Sequence, residues 1–117
     1  MIVEQRTYTL QIGAAPKYLA LYEAEGLAVQ REILGRMVGY FSSDIGALHQ
    51  IVHMWAYKDY AEREERRAIL GADPRWLAYV PKVRELQIAQ ENKILIPASF
   101  SPWGVDDPAL DMANPSS

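Results

Sequence analysis

The run Leu48-His49-Gln50-Ile51-Val52-His53-Met54-Trp55-Ala56-Tyr57 constrains the fold more than any other stretch of the chain. Its β-branched and aromatic residues favour a pleated, extended backbone. Alternate residues of a strand face opposite sides. One side then carries His49, Ile51, His53, Trp55 and Tyr57, and the other Leu48, Gln50, Val52, Met54 and Ala56. Both sets contain groups poorly placed in water. The strand therefore belongs in a sheet covered on both faces.

The rest of the chain supplies that sheet. Residues 2–10 predict a strand with Ile2, Glu4, Arg6, Tyr8 and Leu10 on one face, and neither of its faces is cleanly apolar. Gly13 breaks it, and Pro16 suits the start of a helix, where a missing N–H costs nothing. Tyr18, Leu21, Tyr22, Val29 and Ile33 recur at helical spacing, and Gly35 ends the run. Gly26 weakens the middle of that helix by about 1 kcal/mol relative to alanine, which the close approach of another backbone would offset. Residues 36–42 predict a second strand. Ser43-Asp44-Ile45-Gly46 provides turn chemistry, so this strand and residues 48–57 read as an antiparallel hairpin. A two-residue turn at Asp44-Ile45 pairs Tyr40 with His49 and Arg36 with His53. A bulge there sends Tyr40 to the other face, and both registers stay open.

Asp59 followed by Glu62 is a capping pattern for a helix over 60–70, stopped by Gly71. Asp73-Pro74 opens another helix, with Trp76, Leu77, Val80 and Val83 on its apolar side and a kink or an irregular turn expected at Pro81. Residues 90–100 predict the last strand, with Pro97 favouring an edge or the end of the ladder. Residues 1–104 form one domain. Residues 105–117 are rich in Pro, Asp, Asn and Ser and predict an extended or disordered tail.

Strand, helix, strand, strand, helix, strand is the ferredoxin-like order. The fold class is α+β, a four-stranded antiparallel sheet with helices on one face. The uncovered face would leave apolar strand surface in water, so a homodimer, sheet against sheet across a two-fold axis, is expected.

Composition narrows the function. The chain has no cysteine and a formal net charge of −3. Disulfides and thiolate chemistry are excluded. The acidic balance disfavours nucleic acid. No apolar run approaches the length of a membrane span. The first residues, Met1-Ile2-Val3-Glu4-Gln5-Arg6, lack a basic segment followed by an apolar one. A cytoplasmic location with no nucleic-acid and no membrane partner is expected.

His49 and His53 are the only histidines. On one strand they share a face about 13 Å apart, too far to ligate one metal ion, and no metal site is expected. Either imidazole suits acid–base work and both are catalytic candidates, although a histidine satisfied inside the sheet is the plain alternative. Tyr8, Tyr40 and Trp55 are candidate ligand-binding groups, or simply core. Arg63 and Arg67 from helix 60–70 could pin a carboxylate, unless they form a solvated face laced with Glu62, Glu64 and Glu65. Glu4 and Arg6 share a face of strand one and can pair with each other or with a partner subunit. A pocket, if formed, is expected inside one subunit, between sheet and helices, lined by Tyr8, Tyr40, His53, Trp55 and Arg63 or Arg67. A small organic molecule is the candidate ligand.

Together these stretches resemble the NIPSNAP family, within the dimeric α/β-barrel group. The likeness lies in Tyr8-Thr9-Leu10 with Gly13, in Leu34-Gly35 and Val38-Gly39-Tyr40-Phe41, and most specifically in Gly46, Leu48, Ile51-Val52, His53, Trp55 and Tyr57. It continues through Ala61-Glu62-Arg63 and Arg66-Arg67 to Asp73-Pro74-Arg75-Trp76. The resemblance implies a ferredoxin-like subunit pairing into a barrel, without a fixed activity. Related barrels include cofactor-independent monooxygenases, lactone isomerases and haem-handling enzymes. The expectation is a small-molecule-binding barrel protein, in enzymatic form a metal-independent oxygenase- or isomerase-like protein acting without a cofactor on a small aromatic or conjugated substrate. The alternative is a non-catalytic interaction or scaffold domain, with haem binding a third option.

Overall fold

The computed structural model describes residues 1–102. The tail expected over 105–117 lies outside the described residues. The elements are β1 (Ile2–Leu10), α1 (Ala15–Leu21), a π-helical turn (Tyr22–Gly26), α2 (Leu27–Leu34), β2 (Arg36–Ser42), β3 (Gln50–Tyr57), α3 (Tyr60–Ala72), α4 (Pro74–Arg84) and β4 (Gln87–Leu95). The strands form one antiparallel sheet in the order β2-β3-β1-β4, the ferredoxin-like arrangement. Among the described residues no helix is long and apolar enough to cross a membrane.

Parity sorts the sheet into two faces. Ile2, Tyr8 and Leu10 of β1 and Ile51, Trp55 and Tyr57 of β3 are buried under the helices, against Tyr18, Tyr22, Val29, Leu34, Leu70, Tyr79 and Val83. On the opposite face Val3 and Ala56 pack with Met1, Val38 and Met54. Both faces of the central strands thus mix apolar and polar residues: the ionisable Glu4, Arg6 and His53 lie beneath the helices, and the uncharged Gln5, Thr7, Thr9 and Gln50 on the opposite face.

Both capping aspartates work as the sequence implies. Asp59 accepts from the Glu62 amide at 2.8 Å, and Asp73 from the Arg75 amide at 2.8 Å. α3, however, runs through Gly71 to Ala72. The residue that interrupts the helices is Asp73, whose extended backbone caps α4. Pro81 likewise lies within the continuous span of α4. It and Leu77, whose carbonyl loses its partner, are both on the exposed side, where water can compensate.

Three strand expectations change. β3 begins at Gln50, because His49 adopts a left-handed backbone with φ 60°. The two histidines are therefore not spaced along one strand. β4 spans Gln87–Leu95 rather than 90–100. Its length is set by β1, since Val3 pairs with Leu95 and no strand remains for Ile96 onward to pair with. The hairpin closes at Ser43, whose amide donates to the Gln50 carbonyl at 2.9 Å and whose Oγ accepts from the Gln50 amide at 3.1 Å. The loop is therefore longer than a two-residue turn, and the irregularity falls between Met37 and Gly39. The outcome differs from both expected registers: Tyr40 pairs with His53, and Arg36 with Ala56.

Gly26 is explained by a neighbouring ring rather than by a neighbouring backbone. A Cβ there would lie 2.8 Å from Cζ of Tyr79 and 3.0 Å from Cδ1 of Tyr22. Gly26→Ala is therefore expected to destabilise the protein by about 1–3 kcal/mol through overpacking, against the gain in helix propensity of about 1 kcal/mol. Urea unfolding of the two proteins checks the sign, and a more stable variant would contradict the packing.

Candidate functional site

The helix-covered face of β1 reads Ile2, Glu4, Arg6, Tyr8, Leu10, so a carboxylate and a guanidinium enter the interior. Glu4 is completely buried. Its Oε2 accepts from Arg63 Nη2 at 2.8 Å, Asn92 Nδ2 at 2.9 Å and Arg6 Nη1 at 3.1 Å. Arg67 Nη1 stands 4.0 Å from Oε1. Burial pushes the Glu4 pKa up, but the bonds from Arg63 and Asn92 and the charges of Arg6 and Arg67 outweigh it and hold the group at about 2. Three guanidiniums thus surround one carboxylate, leaving two positive charges in excess. The arginines expected to await a ligand's carboxylate are occupied by one from the protein itself.

Arg6 also extends the other way. Its Nε donates to the Tyr8 hydroxyl at 2.9 Å, and its guanidinium lies 5.6 Å from the Tyr8 ring centroid. Tyr8 opens an aromatic cluster. Its ring meets His53 edge-on at 5.0 Å and Tyr18 at 6.3 Å. Tyr40 stacks on His53 at 4.7 Å with 25° between planes, and Tyr22 stacks on the far side at 4.3 Å from Tyr40. These rings enclose a cavity of about 110 Å³ between sheet and helices. Tyr8, Tyr18, Tyr22, Tyr40, Tyr79 and His53 form its walls, and Arg84, Gln87 and Gln90, all largely exposed or at the boundary, line it toward solvent.

Burial keeps the walls neutral. Tyr22 Oη donates to Gln30 Oε1 at 2.6 Å, and Tyr40 Oη to Tyr18 Oη at 3.3 Å. Burial raises the Tyr18 hydroxyl to about 12 and Tyr22, Tyr40 and Tyr79 further still, so none ionises near neutral pH.

His53 is 1% exposed. The Trp55 indole N–H donates to its Nδ1 at 2.7 Å. An indole nitrogen only donates, so Nδ1 must carry a lone pair, and in the neutral ring the proton resides on Nε2. That Nε2 is buried and meets no partner among the described residues. Burial and the charges of Arg6 and Arg67, opposed by Glu4, push the imidazole down to about 3. It stays neutral at physiological pH. Its basic nitrogen is engaged, so the polar group it has left is a donor.

Of the residues singled out from the sequence, the cavity gathers Tyr8, Tyr40 and His53. Trp55 lies behind His53 and does not line it, and Arg63 and Arg67 bind Glu4 beside it. His49 sits apart, its Nδ1 accepting from the Gly13 amide at 3.3 Å and its carbonyl from the Leu10 amide at 2.8 Å. It joins two loops at one end of the sheet.

The sequence model of the NIPSNAP family matches residues 3–102. The chain belongs to the NIPSNAP family. A NipSnap homolog of Dictyostelium discoideum is 33% identical over 97 residues, covering 83% of this chain and 43% of that protein. Human NipSnap homolog 2 is 33% identical over 105 residues, covering 86% and 35% respectively. The chain thus spans less than half the length of these curated relatives. Among solved structures, a NIPSNAP family protein of unknown function from Agrobacterium tumefaciens superposes with a TM-score of 0.86 at 53% identity, covering 87% of this chain and 92% of that one. A NIPSNAP-like domain protein from Burkholderia xenovorans gives 0.85 at 47% identity, covering 91% and 97%. An antibiotic biosynthesis monooxygenase gives 0.59 at 14% identity over 84% of this chain and 99% of its own, a likeness of fold alone.

The most specific NIPSNAP-like stretch acquires physical roles here. Gly46 takes φ 102° in the hairpin loop, and Ile51, His53, Trp55 and Tyr57 form the buried face of β3. Sequence reasoning missed Tyr18, Tyr22, Gln30 and Tyr79 as cavity residues. The available signal was the pair Tyr18 and Tyr22, one helical turn apart on a buried stripe, each bringing a hydroxyl that needs a partner.

This NIPSNAP domain should lose stability in acid through His53. In the unfolded chain the imidazole protonates near 6.5, in the folded one near 3. Between those values the unfolded state binds more protons, so stability present above pH 6.5 falls as pH drops, by up to about 1.4 kcal/mol per unit. Glu4, at 4.5 unfolded and about 2 folded, adds to the loss below 4.5. Urea midpoints between pH 8 and 4 should decline below 6.5 in the wild type. His53→Asn should flatten the segment from 6.5 to 4.5, and superimposable profiles would contradict the assignment.

Proposed function

We propose that this NIPSNAP domain is one subunit of a homodimeric α/β barrel that binds a small aromatic or conjugated molecule in the cavity at His53. The observation that carries this reading is a buried N–H without a protein partner on a residue that lines a cavity built from aromatic rings. Buried polar groups of native proteins are rarely left unsatisfied without reason. Aromatic walls with a few convergent polar groups are the usual form of a small-molecule site. Arg63 and Arg67 are taken up by Glu4 beside the cavity, so it is His53 and the tyrosines gathered around one enclosure that favour a ligand site over a scaffold surface. Its own residues can enclose a planar molecule, exclude water and polarise one oxygen without a metal. An oxygenase- or isomerase-like reaction is the enzymatic form of this reading. The monooxygenase-like fold is compatible with it but specifies no reaction.

Dimerisation is supported by the face opposite the helices. There Val3, Val38, Met54, Leu95, Ile96 and Pro97 line an apolar groove of about 260 Å³. Phe41 and Ile96 are 53% and 69% exposed. A second copy across a two-fold axis would cover this surface. Light scattering at micromolar concentration should give about twice the 13.3 kDa of the chain. Met54→Glu should shift it toward the single mass, and a monomeric wild type would exclude the barrel.

For the ligand site, saturation-transfer NMR with a panel of small phenols and aryl ketones should detect binding to the wild type. Val80→Trp, which fills the cavity from α4, should remove that signal while keeping a cooperative unfolding transition. Undiminished binding to the filled variant would place the ligand elsewhere.

A further inference from the structure

Resting on the reading of this cavity as a ligand site, we propose that it is an oxyanion site, selective for the deprotonated form of a small conjugated acid such as a phenol or enol. The ligand oxygen accepts from His53 Nε2–H and from the Tyr8 hydroxyl, and Trp55 is the positioning residue that fixes the histidine proton.

Three independent features converge on this ligand class. The first is the direction of the hydrogen bonds. The Trp55 indole donates to Nδ1 of His53, so the imidazole presents only a donor from another edge of its ring. Tyr8 accepts from Arg6 Nε, and its own proton is left to donate. Two neighbouring rings, with centroids 5.0 Å apart, thus each hold a donor, and both belong to the cavity wall.

The second is charge. Among the described residues no Asp or Glu lines the cavity, and the one ionic lining residue is Arg84. Behind Tyr8 and His53 lies the Glu4 cluster with its excess of two positive charges. Arg6 belongs to both, ion-paired to Glu4 at 3.1 Å and bonded to Tyr8. Charges that are partly withdrawn from water act more strongly on an anion nearby than fully solvated ones. An anionic oxygen at the donors would bring the local balance toward neutrality, whereas a cation would add to the excess.

The third is shape. Tyr22, Tyr40 and His53 form a near-parallel stack with Tyr40 between the other two, and an enclosure made mostly of aromatic rings suits a conjugated molecule. The cavity of about 110 Å³ is somewhat smaller than the roughly 150 Å³ that accommodates benzene. It therefore suits one ring or a shorter conjugated system, with substituents directed to the mouth at Gln87 and Gln90. Selectivity for the anion means the site stabilises negative charge on oxygen, which is what forming an enolate or phenolate requires.

The assignment is tested on the full chain with 4-nitrophenol, whose neutral and ionised forms absorb at different wavelengths. Titration of the bound probe should show its pKa lowered by at least one unit, a tenfold or greater preference for the phenolate. Tyr8→Phe should diminish the shift. In parallel, long-range proton–nitrogen NMR of the ligand-free wild type should show His53 as the pure Nε2–H tautomer. Trp55→Phe should convert it to a mixture and weaken the phenolate preference; should that variant fail to fold, the wild-type tautomer and Tyr8→Phe carry the test. Bound probe with an unshifted or raised pKa, or a wild-type His53 protonated on Nδ1, would overturn the oxyanion assignment while leaving the ligand site intact. A wild type that binds neither form at millimolar concentration would overturn both.

Discussion

The Glu4 carboxylate is the group on which the rest of this domain is arranged. It sits on a central strand, fully enclosed, and is reached by Arg6 of the same strand, Arg63 and Arg67 of α3, and Asn92 of the edge strand β4. A buried charge is tolerated only when paired and hydrogen-bonded. Each of those elements must therefore take its place before the carboxylate can lie in the interior. Ion pairs of this kind add little to stability compared with an apolar replacement of similar volume. What this one supplies is position: it sets how α3 and β4 sit against β1, and hence where Arg6 and Tyr8 stand at the wall of the cavity.

The same economy of partners runs through the aromatic cluster. Five tyrosines, Tyr8, Tyr18, Tyr22, Tyr40 and Tyr79, make most of the enclosure, although each brings a hydroxyl to be satisfied. A core of leucine and isoleucine would pack with less difficulty. The tyrosines instead produce an aromatic, neutral enclosure next to a compact region of positive charge. Hydrogen bonds to Gln30 and between hydroxyls satisfy Tyr22, Tyr40 and Tyr18, and leave the His53 Nε2 and the Tyr79 hydroxyl as buried polar groups of the cavity residues without a partner among the described residues.

Much of this architecture is legible in the chain, for reasons that separate cleanly. Strand and helix order follow from punctuation by Gly13, Gly35, Asp59 and Asp73, and the buried face of β3 follows from parity. Contacts between elements were harder to see. Glu4 and Arg6 share a face by parity, but nothing local says that Arg63, 59 residues away, completes the group. The stacking of Tyr40 on His53 depends on a longer hairpin loop and on an irregularity near Val38, neither of which alternation reveals. Gly71 misled because a single glycine costs a helix only about 1 kcal/mol and a stronger signal, the Asp73 cap, is close by. His49 misled because histidine tolerates the left-handed backbone better than most residues, and strand alternation is silent on that tolerance.

The π-helical turn at Tyr22–Gly26 has a consequence for how such chains can change in length. A turn of this kind holds one residue more than an α-helical turn while the helix on either side continues. Loss of one residue within it would relax the segment to ordinary α-helix, with Tyr18 on one side and Val29 on the other still facing the sheet. Loss of one residue from α2 would instead rotate the remainder of that helix by about 100° and turn its buried stripe outward. Single-residue length differences among related chains should therefore collect in this turn, beside the cavity wall, where Tyr22 can be moved or replaced without disturbing the sheet.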